Sequence, residues 1–394
     1  MIYYAPTKLF IDEDEKNIGK IISSYSFKKI MVLCGKKSVI ESGLLDIVIN
    51  SLNGNNIKYI LYKGVKSNPS LDYVRSIYKN HDDVEMILAI GGGSVIDTAK
   101  SLAVSLAMNE DPWNFNSCKS IATKAIPIGV ILTIAAAGSE MSSSCVITNE
   151  QTNSKVGFNS DLMRPLFAIM NPKLTFSVSK YQTACGIVDI MMHTLERYIT
   201  DKPSEFADEL SIALLKTVYN NGIIAYNDPT NYESRKALML ASSFSHNDLT
   251  QIGRDKYFRA HKFEHVISGF YPNVSHGAGL AVIWGAYART IYLNKYALPC
   301  FLKIAYDVLN IKKTNDIEKD ALKGIECLDD YFYKLGMPLS MEDLNIPYEK
   351  LEEFALSLSL NKTRIIPDII PIDYERGKMI FSKMWKNKGE ENVN

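Results

Sequence analysis

MILAIGGGSVIDTAKSLAV, residues 86–104, opens on five apolar residues, breaks at Gly91, Gly92 and Gly93, and resumes after Ser94 with helical spacing. An apolar strand running straight into glycines and then a helix reads as a βα unit. Its helix start presents backbone amides to an anion, and the missing side chains let a ligand approach the backbone. That geometry suits a dinucleotide pyrophosphate, the lesser reading of three glycines alone being a tight strand-to-helix turn without a ligand. The run is neither GxGxxG nor a Walker loop, because GK[ST] is missing, so it points to phosphate and to no particular nucleotide.

Outward from this segment the pattern repeats. Lys29–Cys34, Ile57–Tyr62, Met86–Ile90 and Ala125–Ile131 read as short apolar strands, separated by amphipathic stretches such as GLLDIVINSLN and LDYVRSIYKNH. Alternating strand and helix predicts βαβ units and a parallel sheet. After about Lys180 the β-branched runs thin out, and Ser204–Tyr226 and Ser234–Ser245 keep helical spacing. Pro172 interrupts regular structure near Asn171–Lys180, so the expected division is an α/β domain over residues 1–178 and an all-helical domain over 179–394. Two domains also follow from length, since 394 residues exceed the roughly 250–300 at which one core stops growing. The tail KNKGEENVN reads as frayed and solvated.

Lys plus Arg and Asp plus Glu balance at 44 each, which leaves no net field to draw nucleic acid or an acidic membrane and favours a small-molecule partner. The six cysteines are scattered, with no pair at the spacing of redox or zinc-ribbon motifs. MIYYAPTKLFIDEDEK has no basic start followed by an apolar stretch, and no run reaches the roughly 18 apolar residues of a membrane helix. The expectation is a reducing, cytoplasmic address.

Gly35-Lys36-Lys37-Ser38 follows the first of these strands. An acidic residue here would hold a ribose 2′-hydroxyl, whereas glycine and lysines tolerate or bind a 2′-phosphate, which leans toward NADP over NAD. A solvated basic turn explains the lysines as well. In GIVDIMMHTLERY, Asp189 and His193 stand four apart on one helical face and can share a cation. The chain has only six histidines, and His261, His265 and His276 fall together in RAHKFEHVISGFYPNVSHGAGLA. Such an oxygen and nitrogen set suits divalent iron or zinc. His265, one turn beyond His261, reads either as a proton-transfer residue near the cation or as a histidine bonded to a backbone carbonyl.

In order along the chain, GKKSVIESGLLD, GGGSVIDTAK, AAAGSEMSSSCVIT, GIVDIMMHTLERY and HKFEHVISGFYPNVSHGAGLA resemble the iron-containing alcohol dehydrogenase family, nearest its butanol dehydrogenase-like branch. The resemblance covers most of the chain. It implies a dehydroquinate synthase-like architecture, with an N-terminal dinucleotide-binding α/β domain, a C-terminal helical domain and a metal in the cleft between them. Carried over by motif, the metal ligands fall on Asp189, His193, His261 and His276. Cofactor contacts fall on Gly92, Gly93, Ser94, Asp97, Thr133, Ser139 and Lys155, and on Gly35, Lys36 and Ser38 around the ribose. His265 is a catalytic candidate, and family members commonly form homodimers. The activity implied is interconversion of a primary alcohol and its aldehyde, or a small ketone, by hydride transfer with NAD or NADP while the metal polarises the substrate oxygen.

RDKYFRAH, before His261, departs from the branch, whose members carry an aspartate and tryptophan there. Arg254, Lys256 and Arg259 could favour an anionic substrate, or form a solvated basic face. A dehydroquinate synthase-like cyclase and a glycerol-phosphate-type dehydrogenase share the architecture, with fewer histidine ligands. A non-haem iron oxygenase would need two histidines and a carboxylate but no nicotinamide site, and a non-catalytic binding protein would not need so complete a ligand set.

Overall fold

The computed structural model describes residues 3–12, 15–79, 83–255 and 257–386. Two compact units meet in sequence between Val178 and Ser179. Asn80, His81, Lys256 and the tail beyond Lys386 lie outside the described residues.

The N-terminal unit is built on a parallel sheet of β1 (Lys8–Ile11), β2 (Lys29–Gly35), β3 (Lys58–Val65), β4 (Met86–Gly91), β5 (Ile128–Leu132) and β8 (Phe167–Met170), ordered β1-β8-β5-β4-β2-β3. A separate antiparallel hairpin joins β6 (Ser144–Asn149) and β7 (Ser154–Asn159). The helices of this unit are α1 (Ile18–Ser24), α2 (Ser38–Glu41), α3 (Leu44–Gly54), α4 (Leu71–Lys79), α5 (Gly93–Met108) and α6 (Pro112–Asn116). Every residue of β4 and β5 is buried. Both faces of a parallel sheet are covered, which is why these strands read as unbroken apolar runs.

The sequence reading differs in detail. β5 begins three residues after the expected Ala125, because Pro127 has no N–H for the ladder and the register starts at Ile128. β1, β8 and the β6–β7 hairpin were not foreseen; β1 and β8 are only four residues each.

The strand order fixes where a ligand can enter. From β2 the chain moves outward to β3, then returns to the other side of β2 for β4 and continues through β5 to β8. The direction of winding therefore reverses between β2 and β4, and in open α/β sheets the crevice beyond the carboxyl ends at such a switch point takes the ligand. The Gly35–Ser38 and Gly91–Ser94 loops leave the carboxyl ends of these two strands.

Lys100 of α5 is fully buried. Its Nζ donates to Ser139 Oγ (3.0 Å), Ser142 O (2.9 Å), Ser142 Oγ (3.1 Å) and Ser144 O (2.8 Å). Asp97, one turn earlier, accepts from Ser139 Oγ (2.6 Å) and from the Val146 amide (3.0 Å). Together they pin the segment between β5 and β6 onto α5. Burial pushes Lys100 down to about 8 against the pull of Asp97, and burial also raises the Asp97 carboxyl.

The C-terminal unit is helical: α7 (Lys180–Tyr198), α8 (Glu205–Asn227), α9 (Tyr232–His246), α10 (Arg259–Phe270), α11 (His276–Ile291), α12 (Ala297–Lys303), α13 (Ile317–Lys334), α14 (Leu351–Leu358) and α15 (Tyr374–Ser382). Ser179 caps α7 by accepting from the Gln182 amide at 3.2 Å. From Thr183 to Tyr198 every α7 residue is buried, since α8, α9 and α11 pack around it. A helix enclosed on all sides is the unit's core, and its polar residues are held inside with it.

Lys100→Met should cost about 3–5 kcal/mol, since it strands the Asp97 carboxylate and the serine acceptors. Urea unfolding measures this, and an unchanged midpoint would contradict it. Because folding loosens the Lys100 proton, the wild type should also gain stability between about pH 8 and the ordinary 10.5. The variant should lack that component.

Candidate metal centre and dinucleotide site

Asp189 and His193 share one face of α7, as their spacing requires. α10 brings His261 and the first residue of α11 is His276. Around the single oxygen Asp189 Oδ1 lie His193 Nδ1 at 3.4 Å, His261 Nε2 at 3.5 Å and His276 Nε2 at 3.6 Å. Donors of Asp189, His193 and His261 all fall within 4.8 Å of one another. These separations are long for hydrogen bonds. For Asp189, His193 and His261 they match a shared cation, because two ligands each about 2.1 Å from a tetrahedral metal stand about 3.4 Å apart, whereas His276 approaches the same oxygen but lies outside this mutually close set.

A second observation agrees. Asp189 Oδ1 and His261 Nε2 are buried and have no hydrogen-bond partner among the described residues. Orphaned buried donors and acceptors are expensive unless something else satisfies them. The residues therefore fit a divalent cation of the iron or zinc type. Burial opposes a charge on His261, yet Glu196 and then Asp189 outweigh it and push the ring up to about 9. The pocket is thus electrostatically prepared for positive charge.

Sequence reasoning missed three residues here. The Glu196 carboxylate lies against His261 Nδ1 and that of Glu264 against His276 Nδ1, and both glutamates are buried. The available signal was a glutamate three residues after His193 and again after His261. His246, at the end of α9, is the third: its ring stands edge-on to His193 with centroids 4.1 Å apart. Nothing in its sequence neighbourhood announced this, because α9 and α7 meet only in the folded unit. Half-buried His265 projects toward α11, its ring centroid 6.1 Å from that of His276.

Arg254 and Arg259, before His261, do not form a substrate-facing patch. Arg254 is buried, pairs with Asp208 at 2.6 Å and donates to Thr250 O at 2.9 Å. Arg259 is buried against Asp368 (3.0 Å), Tyr287 Oη (2.6 Å) and Glu196 O (2.7 Å). Both guanidiniums are consumed in tying helices and loops together. The expectation that they favour an anionic substrate is corrected accordingly; Lys256 lies outside the described residues.

In the N-terminal unit, α5 begins without a side-chain cap at Gly92. A Cβ on Gly92 would fall 2.2 Å from Ile134 Cγ2, so any larger residue there would force the Ile134 side chain to shift whether or not a ligand is bound. The Thr133 amide donates to Gly91 O at 3.1 Å, which places Thr133 beside the glycine loop. Asp97 and Ser139 are bonded to one another, and Lys155 of β7 donates to Asn68 Oδ1 at 3.1 Å, just beyond β3. Lys36 and Ser38 are exposed beside Gly35 at the end of β2.

Residues 6–172 match the family model for iron-containing alcohol dehydrogenases, and residues 183–376 match that for the C-terminal part of the same family. The chain is 35% identical to NADH-dependent butanol dehydrogenase A of Clostridium acetobutylicum, across 97% of this chain and 99% of that one. It is 30% identical to an NADPH-dependent aldehyde reductase of Escherichia coli, across 84% and 87% of the two chains. The crystal structure of NADH-dependent butanol dehydrogenase A from Thermotoga maritima superposes with a TM-score of 0.93 at 30% identity, covering 98% of each chain.

α11 meets α7 at Gly277, where a Cβ would lie 2.1 Å from Cys185 O and 2.5 Å from Cys185 Cα. Backbone cannot yield as a side-chain tip does. Gly277→Ala should therefore cost about 1–3 kcal/mol and weaken metal retention by displacing His276. Thermal melting with elemental analysis checks it, and full metal content with an unchanged melting temperature would refute it.

Proposed function

The chain belongs to the iron-containing alcohol dehydrogenase family, and from that premise we propose that it is a metal-dependent, NAD(P)-linked oxidoreductase interconverting a primary alcohol and its aldehyde. The observation that carries the proposal is the set of three imidazole nitrogens 3.4–3.6 Å from one buried carboxylate oxygen. Asp189, His193, His261 and His276 hold the metal, with iron(II) the family's choice. When bound, the metal supplies Lewis acidity toward the substrate oxygen, and the nicotinamide supplies or accepts the hydride. Burial of Asp189, His193 and His261 keeps bulk water away and strengthens electrostatics at the centre. The more open approach is at His276, whose side chain is 26% exposed. His265, next to it, carries the proton that accompanies alcohol formation.

Gly92, Gly93, Ser94, Asp97, Thr133, Ser139 and Lys155 bind the dinucleotide along the carboxyl edge of the sheet, Asp97 and Ser139 acting as a bonded pair. The exposed Gly35–Ser38 loop takes the ribose, with NADP favoured over NAD by its two lysines. Substrates are small and neutral, since Arg254 and Arg259 are spent on structure. Family membership favours this reading over a dehydroquinate synthase-like cyclase. No helix among the described residues is long and apolar enough to cross a membrane. Assembly as a cytoplasmic homodimer completes the proposal, supported by family habit and by the free cysteines.

The direct test is a screen of small aldehydes with NADH and NADPH in metal-defined buffer; no nicotinamide oxidation with any of them would refute the function. His276→Ala should lose metal and turnover together, by more than about a hundredfold in metal affinity, and a variant retaining both would remove His276 from the ligand set. Replacing Lys36 and Lys37 with alanine should raise KM for NADPH about tenfold or more while leaving that for NADH nearly unchanged, as loss of charged hydrogen bonds to a 2′-phosphate requires. Equal effects on both cofactors would end the NADP preference.

A further inference from the structure

We infer that Glu196 and Glu264 are positioning residues that stitch the three metal-binding helices together, each presenting the Nε2 of a histidine on the next helix. This rests on the metal assignment above and concerns residues outside the ligand set. His193 is followed three residues later by Glu196 on α7, and Glu196 lies against Nδ1 of His261 on α10. His261 is followed three residues later by Glu264 on α10, and Glu264 lies against Nδ1 of His276 on α11. His276 is followed three residues later by Gly279, where a Cβ would stand 3.0 Å from Glu264 Cγ. The series HTLE, HKFE, HGAG thus passes a carboxylate from helix to helix and ends in the glycine that makes room for the last one.

Occupying Nδ1 with a carboxylate fixes the tautomer. In His261 Nδ1–H donates to Glu196, in His276 Nδ1 has the Glu264 carboxylate against it as an ion-pair partner, and the lone pair is left on Nε2, the atom that faces Asp189 Oδ1 at 3.5 Å in His261 and 3.6 Å in His276. The carboxylate also makes the ring a stronger donor to a cation. The two glutamates are not equivalent. Glu196 also accepts from the amides of Ala260 and His261, capping α10, whose own N-cap residue Phe258 supplies no side-chain bond. Substituting Glu196 would therefore disturb the fold as well as the metal. Glu264 sits in mid-helix and is the cleaner probe.

The experiment measures Co²⁺ affinity by chelator competition, together with the cobalt ligand-field spectrum, for wild type, Glu264→Gln, Glu264→Leu and His276→Ala. Glu264→Gln keeps an acceptor for Nδ1–H and loses the charge. Its affinity should fall about 10–100-fold, its cobalt bands should shift, and its metal-free form should melt with the wild type. Glu264→Leu, without an acceptor, should bind more weakly still. Glu264→Gln binding Co²⁺ as tightly as wild type, while His276→Ala does not, would overturn the positioning role alone. Equal binding by wild type and His276→Ala would overturn the metal assignment on which it rests. Should Glu264→Leu fail to fold, Gly279→Ala replaces it, since the added methyl crowds Glu264 Cγ; undiminished Co²⁺ affinity there would count against the proposal.

Discussion

Three helices of the helical unit converge on one carboxylate oxygen, Asp189 Oδ1, buried among imidazole nitrogens that stand too far away to hydrogen-bond to it well. Such an oxygen is costly to desolvate, and so are the nitrogens around it. A cation held there would remove both costs at once, because it would satisfy the oxygen and the nitrogens from a single point. The donors come from three helices, so such a cation would also crosslink them and add its binding energy to the folding energy of this unit.

Bringing three helices to one point demands close backbone approach and enclosure of charge. Gly277 meets the first demand, since α11 presses directly on the backbone of Cys185 in α7. Glu196, Arg259, Tyr287 and Asp368 meet the second. The Arg259 guanidinium lies between the carboxyl end of α7, Tyr287 of α11 and Asp368, so a buried cation and a buried anion neutralise one another beside the centre. Arg259, like Arg254, thereby serves the architecture, which weakens the argument for a charged substrate.

The N-terminal unit solves a different problem with the same economy. Its parallel strands bury both faces, and reversal of winding between β2 and β4 leaves one crevice at their carboxyl ends. Asp97 and Lys100, a turn apart on α5, hold the segment from Ser139 to Val146 onto that helix.

Much of this was legible in the chain itself. The strand-to-glycine-to-helix run at 86–104, the change from β-branched to helical texture near Lys180, and the pairing of Asp189 with His193 are local properties, set by side-chain volume, periodicity and the 3.6-residue turn. The short β1 and β8 carried too few residues for a period to register. The β6–β7 hairpin is readable from SCVITN and SKVGFN around a polar turn. What the sequence by itself determined was therefore the kind of elements, their order, and which residue types could bind a metal or a phosphate. Tertiary structure alone decided that Arg254 and Arg259 turn inward, that His246 stands beside His193, and that Glu196 and Glu264 each face a histidine of a different helix. The physical reason is that contacts between helices depend on rotation about each axis and on the closeness that glycines permit, neither of which is encoded in spacing along one helix.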